Sequence, residues 1–415
     1  MQTNDIVFFG YGKTTKAIAK MLGGGFRFYD DNTIESREDE NKNIILPPSS
    51  FDPSQSKLEI TTPSLKPDNP LVKNACNLIS EYDFFLSKKY AHLNHMHAKP
   101  FTIWISGTNG KTTTTQMLTQ LLAKKGAISG GNIGTPLAEL DPNAPIWILE
   151  SSSFALHHTK YASPDIYLLL PVTSDHLDWH ETPEQYEADK LRPLLGMREG
   201  ELALVPKGLS LPDTDAWVVE YNDDAFLEHF FDLDSSKLKY RAAFLQDALL
   251  SLAISRTLFD ETDYSLLNDF QLDNHRQEEI DDHLGRLWVN DSKATNADAS
   301  MQAIKAYSHN KIHLILGGDD KGLDLSILMD FIASQTIELY AVGSNSDKLA
   351  SMASKRNITH HNCKQIDIAV RKINQNLTQN HVALLSPAAS SLDQFSSYAK
   401  RGEFFINEIK KLSDS

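Results

Sequence analysis

Short apolar runs recur along the chain, each ended by Gly, Ser or an acid. They are Ile6–Phe9, Phe26–Tyr29, Phe101–Ile105, Ile146–Leu149, Ile166–Leu170, Leu202–Val205, Ile312–Leu316, Ile337–Val342 and Val382–Leu385. Runs this short and apolar on both faces suit strands buried in a parallel sheet. Many are followed by helix-like patterns, which predicts an α/β chain. No short repeat of fixed period is present. Residues 32–43 are polar and read as loop. A basic, His-containing segment, Ser87–Pro100, precedes a fresh strand, and a polar segment, Leu272–Glu279, precedes the strand-like Leu287–Val289. Breaks near residues 90 and 273 divide the chain into 1–90, 91–273 and 274–415, each a permissible domain size.

The length of 415 residues agrees with two to three domains. Hydrophobic residues at 41% and charged ones at 23% are ordinary globular values and argue against an intrinsically disordered chain. With 40 Lys plus Arg against 55 Asp plus Glu the net charge is −15, which argues against a general binder of nucleic acid or anionic membrane. Phosphate can still be held locally by a few cations and backbone N–H groups. Two distant cysteines, Cys76 and Cys363, make neither a disulfide framework nor a cysteine-rich zinc site. The start MQTND has no basic region and no apolar stretch nears the ~20 residues of a membrane span, so a cytoplasmic setting is expected.

The strongest chemical signal is Phe101–Thr115, FTIWISGTNGKTTTT. An apolar strand runs into Gly107-Thr108-Asn109-Gly110-Lys111-Thr112-Thr113 and then into the helical pattern QMLTQLLAKK. This layout wraps backbone N–H groups around phosphates at a helix start. Lys111 suits the β/γ-phosphates, and the Thr112 hydroxyl suits Mg²⁺. The spacing is G-x-x-G-K-T, with Ile105 where the longer motif has its first Gly. Glu150 closes the run Ile146–Leu149, as a magnesium ligand near a phosphate loop would. Asp175, His176, Asp178 and His180 crowd one loop. Thr182, Pro183 and Gln185 then form a helix-start signature that places Lys190 on a helix. A solvated polar turn and a surface lysine are the bland alternatives. Near the N-terminus, Ile6–Phe9 leads into Gly10-Tyr11-Gly12-Lys13-Thr14-Thr15, with Asp30 after the next strand. Lacking the third glycine of a dinucleotide fingerprint, this reads as a Rossmann-like unit for a nucleotide diphosphate rather than NAD.

Together these residues resemble the Mur ligase family of ATP-dependent amide-forming enzymes, over essentially the whole chain. The marks are GTNGKTT at 107–113, GGNIGTP at 130–136, ESSSF at 150–154, TSDHLD at 173–178, Lys190-Leu191-Arg192 and His275-Arg276. NDSKATN at 290–296, LGGDDKG at 316–322, SPAASSLDQF at 386–395 and Arg401-Gly402 continue the series. NDSKATN and SPAASSLDQF are the marks of the D-glutamate-adding branch. The resemblance implies a UDP-substrate-binding Rossmann-like domain, a central P-loop ATPase-type domain with a mostly parallel sheet, and a Rossmann-like amino-acid-binding domain. It implies a monomeric cytoplasmic ligase of peptidoglycan synthesis, and hence of cell-wall biogenesis, cell shape and division. That enzyme joins D-glutamate to UDP-MurNAc-L-alanine with ATP and Mg²⁺ at two sites, without nucleic-acid partners.

By the same resemblance Lys111 holds the γ-phosphate, and Thr112, Glu150, His176 and a carbamylated Lys190 serve the metal. Thr14, Asp30, Thr62 and Asn132 meet the UDP-substrate. Arg276, Asp291 and Lys293 reach ATP, and Thr295, Lys321, Ser391, Leu392 and Tyr398 meet D-glutamate. Ser390 and Ser391 also read as N-caps of a following helix. The third domain is expected to close on the central one around ATP. The pattern departs from the family at Tyr240–Ala248, where a His-Asn…Asn signature for adenine is missing and Asp247 replaces the second Asn. An ionised Asp can only accept hydrogen bonds, so Phe244 or Gln246 is expected to substitute, or purine selectivity to be loose. The first domain offers Asp30-Asp31 as acceptors and, on this reading, no cationic partner for a diphosphate. Two other readings remain: another Mur-type or folylpolyglutamate-synthase-like ligase, and a non-catalytic nucleotide-binding switch on the same fold.

Overall fold

The computed structural model describes residues 5–94, 96, 98–322 and 324–414. Residues 1–4, read above for a leader, and His95 and His97 of the basic segment lie outside the described residues. The chain is α/β, with three six-stranded sheets. The expected apolar runs all become strands, and they take the interior places.

The first sheet runs, edge to edge, Arg37–Glu38, Ile44–Leu46, Arg27–Tyr29, Ile6–Phe9, Leu58–Thr61 and Leu78–Ile79. The central sheet runs Trp217–Tyr221, Leu202–Pro206, Ile166–Leu169, Phe101–Ser106, Ile146–Glu150 and Ala127–Gly131, with every pair parallel. The third runs Glu278–Asp281, Leu287–Asn290, His381–Leu385, Lys311–Gly317, Ile337–Val342 and His360–Lys364. Its first pair is antiparallel and the rest are parallel.

The strands that the hydrophobic pattern did not reveal are polar, short or glycine-rich. His360–Lys364 is HHNCK and Ala127–Gly131 is AISGG, both at sheet edges. Leu58–Thr61 carries Glu59 at full burial, where its carboxylate accepts the N–H of Asn77 at 2.7 Å and the hydroxyl of Ser56. A buried carboxylate with its own donors is tolerated inside a strand, and it breaks the apolar pattern.

The chain forms two compact units, residues 1–238 with 247–269, and residues 239–246 with 270–415. Within the first unit one apolar core joins the first and central sheets, from Phe8 and Phe28 to Trp104, Trp147 and Tyr167. The helix Glu81–Leu86 ties those sheets together. Its Asp83 carboxylate accepts the backbone N–H groups of Lys160, Tyr161 and Ala162 at 2.9, 2.7 and 2.9 Å. Tyr82 packs edge-on against Trp104, and its hydroxyl donates to the carbonyl of Glu150 at 3.2 Å. That helix therefore fixes the first sheet's attachment beside Glu150, at the end of a central strand.

Helix Ala242–Phe259 is long and apolar enough to cross a membrane by length and composition, where the sequence reading found no such stretch. More than half of it is buried inside the protein, as in a core helix.

Candidate active site

The loop Gly107–Gly110 links strand Phe101–Ser106 to helix Lys111–Leu122. Its two glycines are required sterically. Gly107 has φ +143°, and a Cβ there would lie 2.5 Å from Leu170 Cβ. Gly110 has φ +84°, and a Cβ there would lie 2.6 Å from Asp247 Oδ1. So Asp247 abuts the loop itself, and an L side chain at either glycine would clash. Thr108 is locked by its neighbours: its hydroxyl donates to Thr173 O at 2.8 Å and lies 3.1 Å from the Tyr186 hydroxyl. Asn109 completes the turn, and Thr112 and Thr113 follow Lys111 in the first helical turn. Lys111 folds back, donating from Nζ to Gly107 O and Thr108 O at 2.9 Å each.

Lys190 sits on helix Pro183–Leu191, whose start is capped as expected: the Thr182 hydroxyl accepts the N–H of Gln185 at 3.1 Å. The lysine is buried, donates to Gly107 O at 2.7 Å and lies 4.6 Å from the Tyr186 ring centroid. Burial, then the nearby Lys111 ammonium, push its pKa well below the usual lysine value. The preceding residue, Asp189, is fully buried and gathers His157, His180, Gln185 and Arg192 at 2.9–3.2 Å. Burial alone would raise its pKa, but the hydrogen bonds from His157 and His180 outweigh it and hold the carboxyl below its usual range.

Glu150 ends strand Ile146–Glu150, in register with Ile105 of the loop strand. It is 2% exposed. Its Oε1 accepts from Asn132 Nδ2 at 2.5 Å, while Oε2 is buried and has no hydrogen-bond partner among the described residues. An orphaned carboxylate oxygen is costly without a donor or a cation. His176 has φ +53°, caps the short helix Leu177–His180 and is half-exposed, its ring 4.9 Å from Phe154. Burial lowers its pKa, Asp175 opposes this, and Lys111 and Lys190 add to the lowering, so the ring favours the neutral, ligating form. No group of three His, Cys, Asp or Glu able to hold a metal occurs among the described residues. A magnesium ion would therefore draw on Glu150, Thr112 and His176 together with phosphate oxygens and water. That mixed set suits a hard ion that binds protein through few side chains, and the orphaned Oε2 fits it.

Beside this lies a cavity of about 180 Å³ lined in part by Lys13, Thr14, Glu81, Asn132, Gly134 and Ser152. Thr14 and Asn132 were expected to meet one ligand, and the fold brings both to this cavity. Thr62 packs against the Gly10–Gly12 turn, its Cγ2 2.4 Å from where a Gly10 Cβ would be. Asp30 accepts the N–H of Tyr11 at 2.7 Å and of Asn32 at 3.0 Å. The expected lack of a cation in this region does not hold. Lys13, at the first position of helix Lys13–Met21, lines the cavity and donates to Gly134 O.

In the second unit three loops meet at the carboxyl ends of the adjacent strands Leu287–Asn290, His381–Leu385 and Lys311–Gly317. Open α/β sheets bind ligands at such ends. Arg401, 2% exposed, pins two of the loops: Nε donates to Ser292 Oγ at 2.9 Å, Nη2 to Ser292 O at 2.8 Å, and Nη1 to Ala389 O at 3.1 Å. A bridge between Asp319 and Ser390 ties in the third loop. Lys293 lies 3.4 Å from Asp273 and 5.7 Å from the Tyr398 ring centroid, and Arg276 Nε lies 3.9 Å from Asp273. Asp291 is buried, accepting from Ser386 Oγ at 2.7 Å and Gln277 N at 3.3 Å, and burial raises its pKa to about 7. Thr295 and Lys321 are exposed, the latter at φ +51°. Ser391 is buried, Leu392 is 67% exposed and Tyr398 begins helix Tyr398–Lys410. The cap of that helix is Ser397, not Ser390 or Ser391: residues 391–397 form turns and bends, and the Ser397 hydroxyl accepts the N–H of Lys400. A separate cavity of about 570 Å³ in this unit is lined by Tyr240, Phe244, Phe270, Arg276 and Tyr307 among others.

The sequence pattern of the Mur ligase middle domain matches residues 105–247. A UDP-N-acetylmuramoylalanine--D-glutamate ligase of Campylobacter jejuni (subsp. jejuni serotype O:23/36, strain 81-176) is 48% identical over 98% of this chain and 100% of its own length. The chain belongs to the Mur ligase family. A protein of the same name from Helicobacter pylori (strain ATCC 700392 / 26695) is 41% identical over 96% of the chain and 98% of its own length. Among solved structures, a MurF ligase from Acinetobacter baumannii superposes with TM-score 0.59 at 12% identity, covering 97% of this chain and 90% of its own. The Thermotoga maritima MurF ligase in complex with ADP gives 0.55 at 16%, covering 94% and 98%. At such identities these two share the fold.

In this Mur ligase the sequence reading passed over Asp189, Tyr186 and His157. Each has one partner far away in sequence: Tyr186 meets Thr108, and Asp189 meets His157. The available local signal was the i, i+4 spacing of Tyr186 and Lys190 on one helix face.

Proposed function

We infer that this chain is an ATP-dependent ligase that joins D-glutamate to UDP-N-acetylmuramoyl-L-alanine, an amide-forming step of peptidoglycan precursor synthesis in the cytoplasm. The observation that carries this reading is the convergence of Lys111 and Lys190 on the carbonyl of Gly107, with Glu150 and its orphaned Oε2 at the end of the strand paired with the one that feeds this loop. It stands in a chain whose near full-length relatives carry that ligase name.

A carboxylate is a poor electrophile. The alanine carboxylate attacks the γ-phosphorus of ATP, the bond to the β-phosphate oxygen breaks, ADP leaves and an acyl phosphate remains. The D-glutamate amine then attacks the acyl carbon, the carbon–oxygen bond to phosphate breaks, and the amide forms as a proton and phosphate depart. Most of the rate enhancement lies in positioning and charge neutralisation. The loop N–H groups cradle the phosphates. Lys111 exchanges its two loop carbonyls for γ-phosphate oxygens. Glu150, His176 and Thr112 would hold Mg²⁺, which neutralises phosphate charge. Burial and the Lys111 charge lower the pKa of Lys190, which favours its free amine; that amine would add CO₂ and release a proton to become an anionic carbamate, a further group able to ligate metal.

Thr14, Asp30, Thr62 and Asn132 take the UDP-substrate. Arg276, Asp291 and Lys293 serve ATP, and Thr295, Lys321, Ser391, Leu392 and Tyr398 take D-glutamate, whose two carboxylates need cationic and hydroxyl donors. The division 1–90, 91–273 and 274–415 belongs to the same reading. The test is phosphate release from ATP with Mg²⁺ and UDP-N-acetylmuramoyl-L-alanine. Release only when D-glutamate is added supports the assignment, and equal release with L-glutamate or another amino acid contradicts it.

A further inference from the structure

We propose that Lys13 is the side chain that takes the diphosphate of the nucleotide-sugar substrate, exchanging its contact with Gly134 for phosphate oxygens. This deepens the reading above and rests on it. The chain carries a net charge of −15, and the substrate is itself a polyanion, so long-range electrostatics oppose binding. Local cations must offset that. Among the described lining residues of the cavity that holds Thr14 and Asn132, Lys13 is the one cationic side chain, and Glu81 is the acid. Glu81 is 5% exposed and receives the N–H of Leu137 at 3.2 Å. Burial raises the pKa of Glu81 to about 7, so the firm charge on the cavity wall is the cation on the first sheet's glycine turn.

The position of Lys13 also has few competing explanations. It is exposed, and its ammonium donates to the carbonyl of Gly134, which has φ +112° and no side chain of its own. It forms no salt bridge with a carboxylate among the described residues. A neutral carbonyl is a weaker partner for an ammonium than an anionic phosphate oxygen, so the exchange is downhill once the ligand enters. Gly134 belongs to the same Gly130–Pro136 stretch as Asn132, which holds Glu150. The lysine therefore bridges the nucleotide end of the cavity to the loop that leads to the phosphate-transfer centre.

The experiment uses the full chain and the variants Lys13→Met and Lys13→Arg. Steady-state phosphate release should show KM for UDP-N-acetylmuramoyl-L-alanine raised about tenfold or more in Lys13→Met, and within about threefold of the parent in Lys13→Arg, as expected for one charge-assisted hydrogen bond. KM for ATP should stay where it was. A KM for the UDP-substrate unchanged in Lys13→Met overturns the proposal and leaves Lys13 a brace on Gly134. Calorimetric titration of UDP alone keeps this test separate from the catalytic reading. If the parent fails to turn over with D-glutamate, the reading of function fails. The lysine assignment then still stands if UDP affinity drops in Lys13→Met and survives in Lys13→Arg, and falls if all three proteins bind UDP alike.

Discussion

Lys111 and Lys190 converge on a single acceptor: their ammonium groups donate to the carbonyl oxygen of Gly107 at 2.9 and 2.7 Å. Burial and the neighbouring Lys111 charge both disfavour the charged form of Lys190 and lower its pKa. The expected outcome is a nucleophilic Lys190 amine that takes up CO₂. Labelled bicarbonate should give a carbamate carbon signal in the parent and none in Lys190→Ala, whose turnover should fall by about 10²-fold or more. A parent without that signal, at full activity, would contradict the assignment.

Glu150 and Asn132 make the second pair. Asn132 occupies Oε1 and leaves Oε2 for a cation. Glu150→Gln keeps the hydrogen bond to Asn132 as an amide pair but removes the charge. The magnesium concentration for half-maximal activity should rise at least about tenfold, with thermal stability close to the parent's. An unchanged magnesium requirement would remove Glu150 from the metal's ligands.

Arg401 is expected to hold the second unit's loops rather than to touch substrate. Arg401→Met leaves the carbonyls of Ser292 and Ala389 and the Ser292 hydroxyl without their donor. The cost should be about 3 kcal/mol, measured by denaturant titration of the full chain. A stability change below about 0.5 kcal/mol would show that the loops find other partners.

Glu81 gives a pH signature. Burial raises its pKa to about 7, only partly offset by the N–H of Leu137, whereas an unfolded glutamate ionises near ~4.3. Between those values the folded chain holds a proton that the unfolded chain has lost, so this group's contribution falls as pH rises through the window. The unfolding midpoint of the parent should drop more steeply from about pH 5 to about pH 7 than that of Glu81→Gln. Asp189 works in the opposite sense, and its contribution is lost only as pH falls below the ordinary carboxylate range. Parallel curves for parent and Glu81→Gln would contradict the burial argument.

What was legible in the sequence was local. The loop at 107–113 announces itself because strand, glycines, Lys-Thr and helix are contiguous. Lys190 could be placed on a helix because Thr182, Pro183 and Gln185 mark its start. What stayed hidden depends on distance in sequence. Asp189 gains meaning only when His157, 32 residues away, folds onto it, and Lys13 only when Gly134, 121 residues away, reaches the same cavity. Polar edge strands such as His360–Lys364 escape a reading based on apolar runs, because one side of an edge strand needs no apolar cover. The cap before Tyr398 was misplaced onto Ser390 and Ser391, since serines at 390, 391, 396 and 397 are alike until backbone geometry selects Ser397.

The most direct test of the central claim follows one oxygen atom. UDP-N-acetylmuramoyl-L-alanine labelled with oxygen-18 in its alanine carboxylate is turned over with ATP, Mg²⁺ and D-glutamate, and the released phosphate is analysed by mass. Ligation through an acyl phosphate predicts that one labelled oxygen per turnover appears in inorganic phosphate, with D-glutamate in amide linkage in the product. Phosphate free of label, or released at the same rate without D-glutamate, would contradict it.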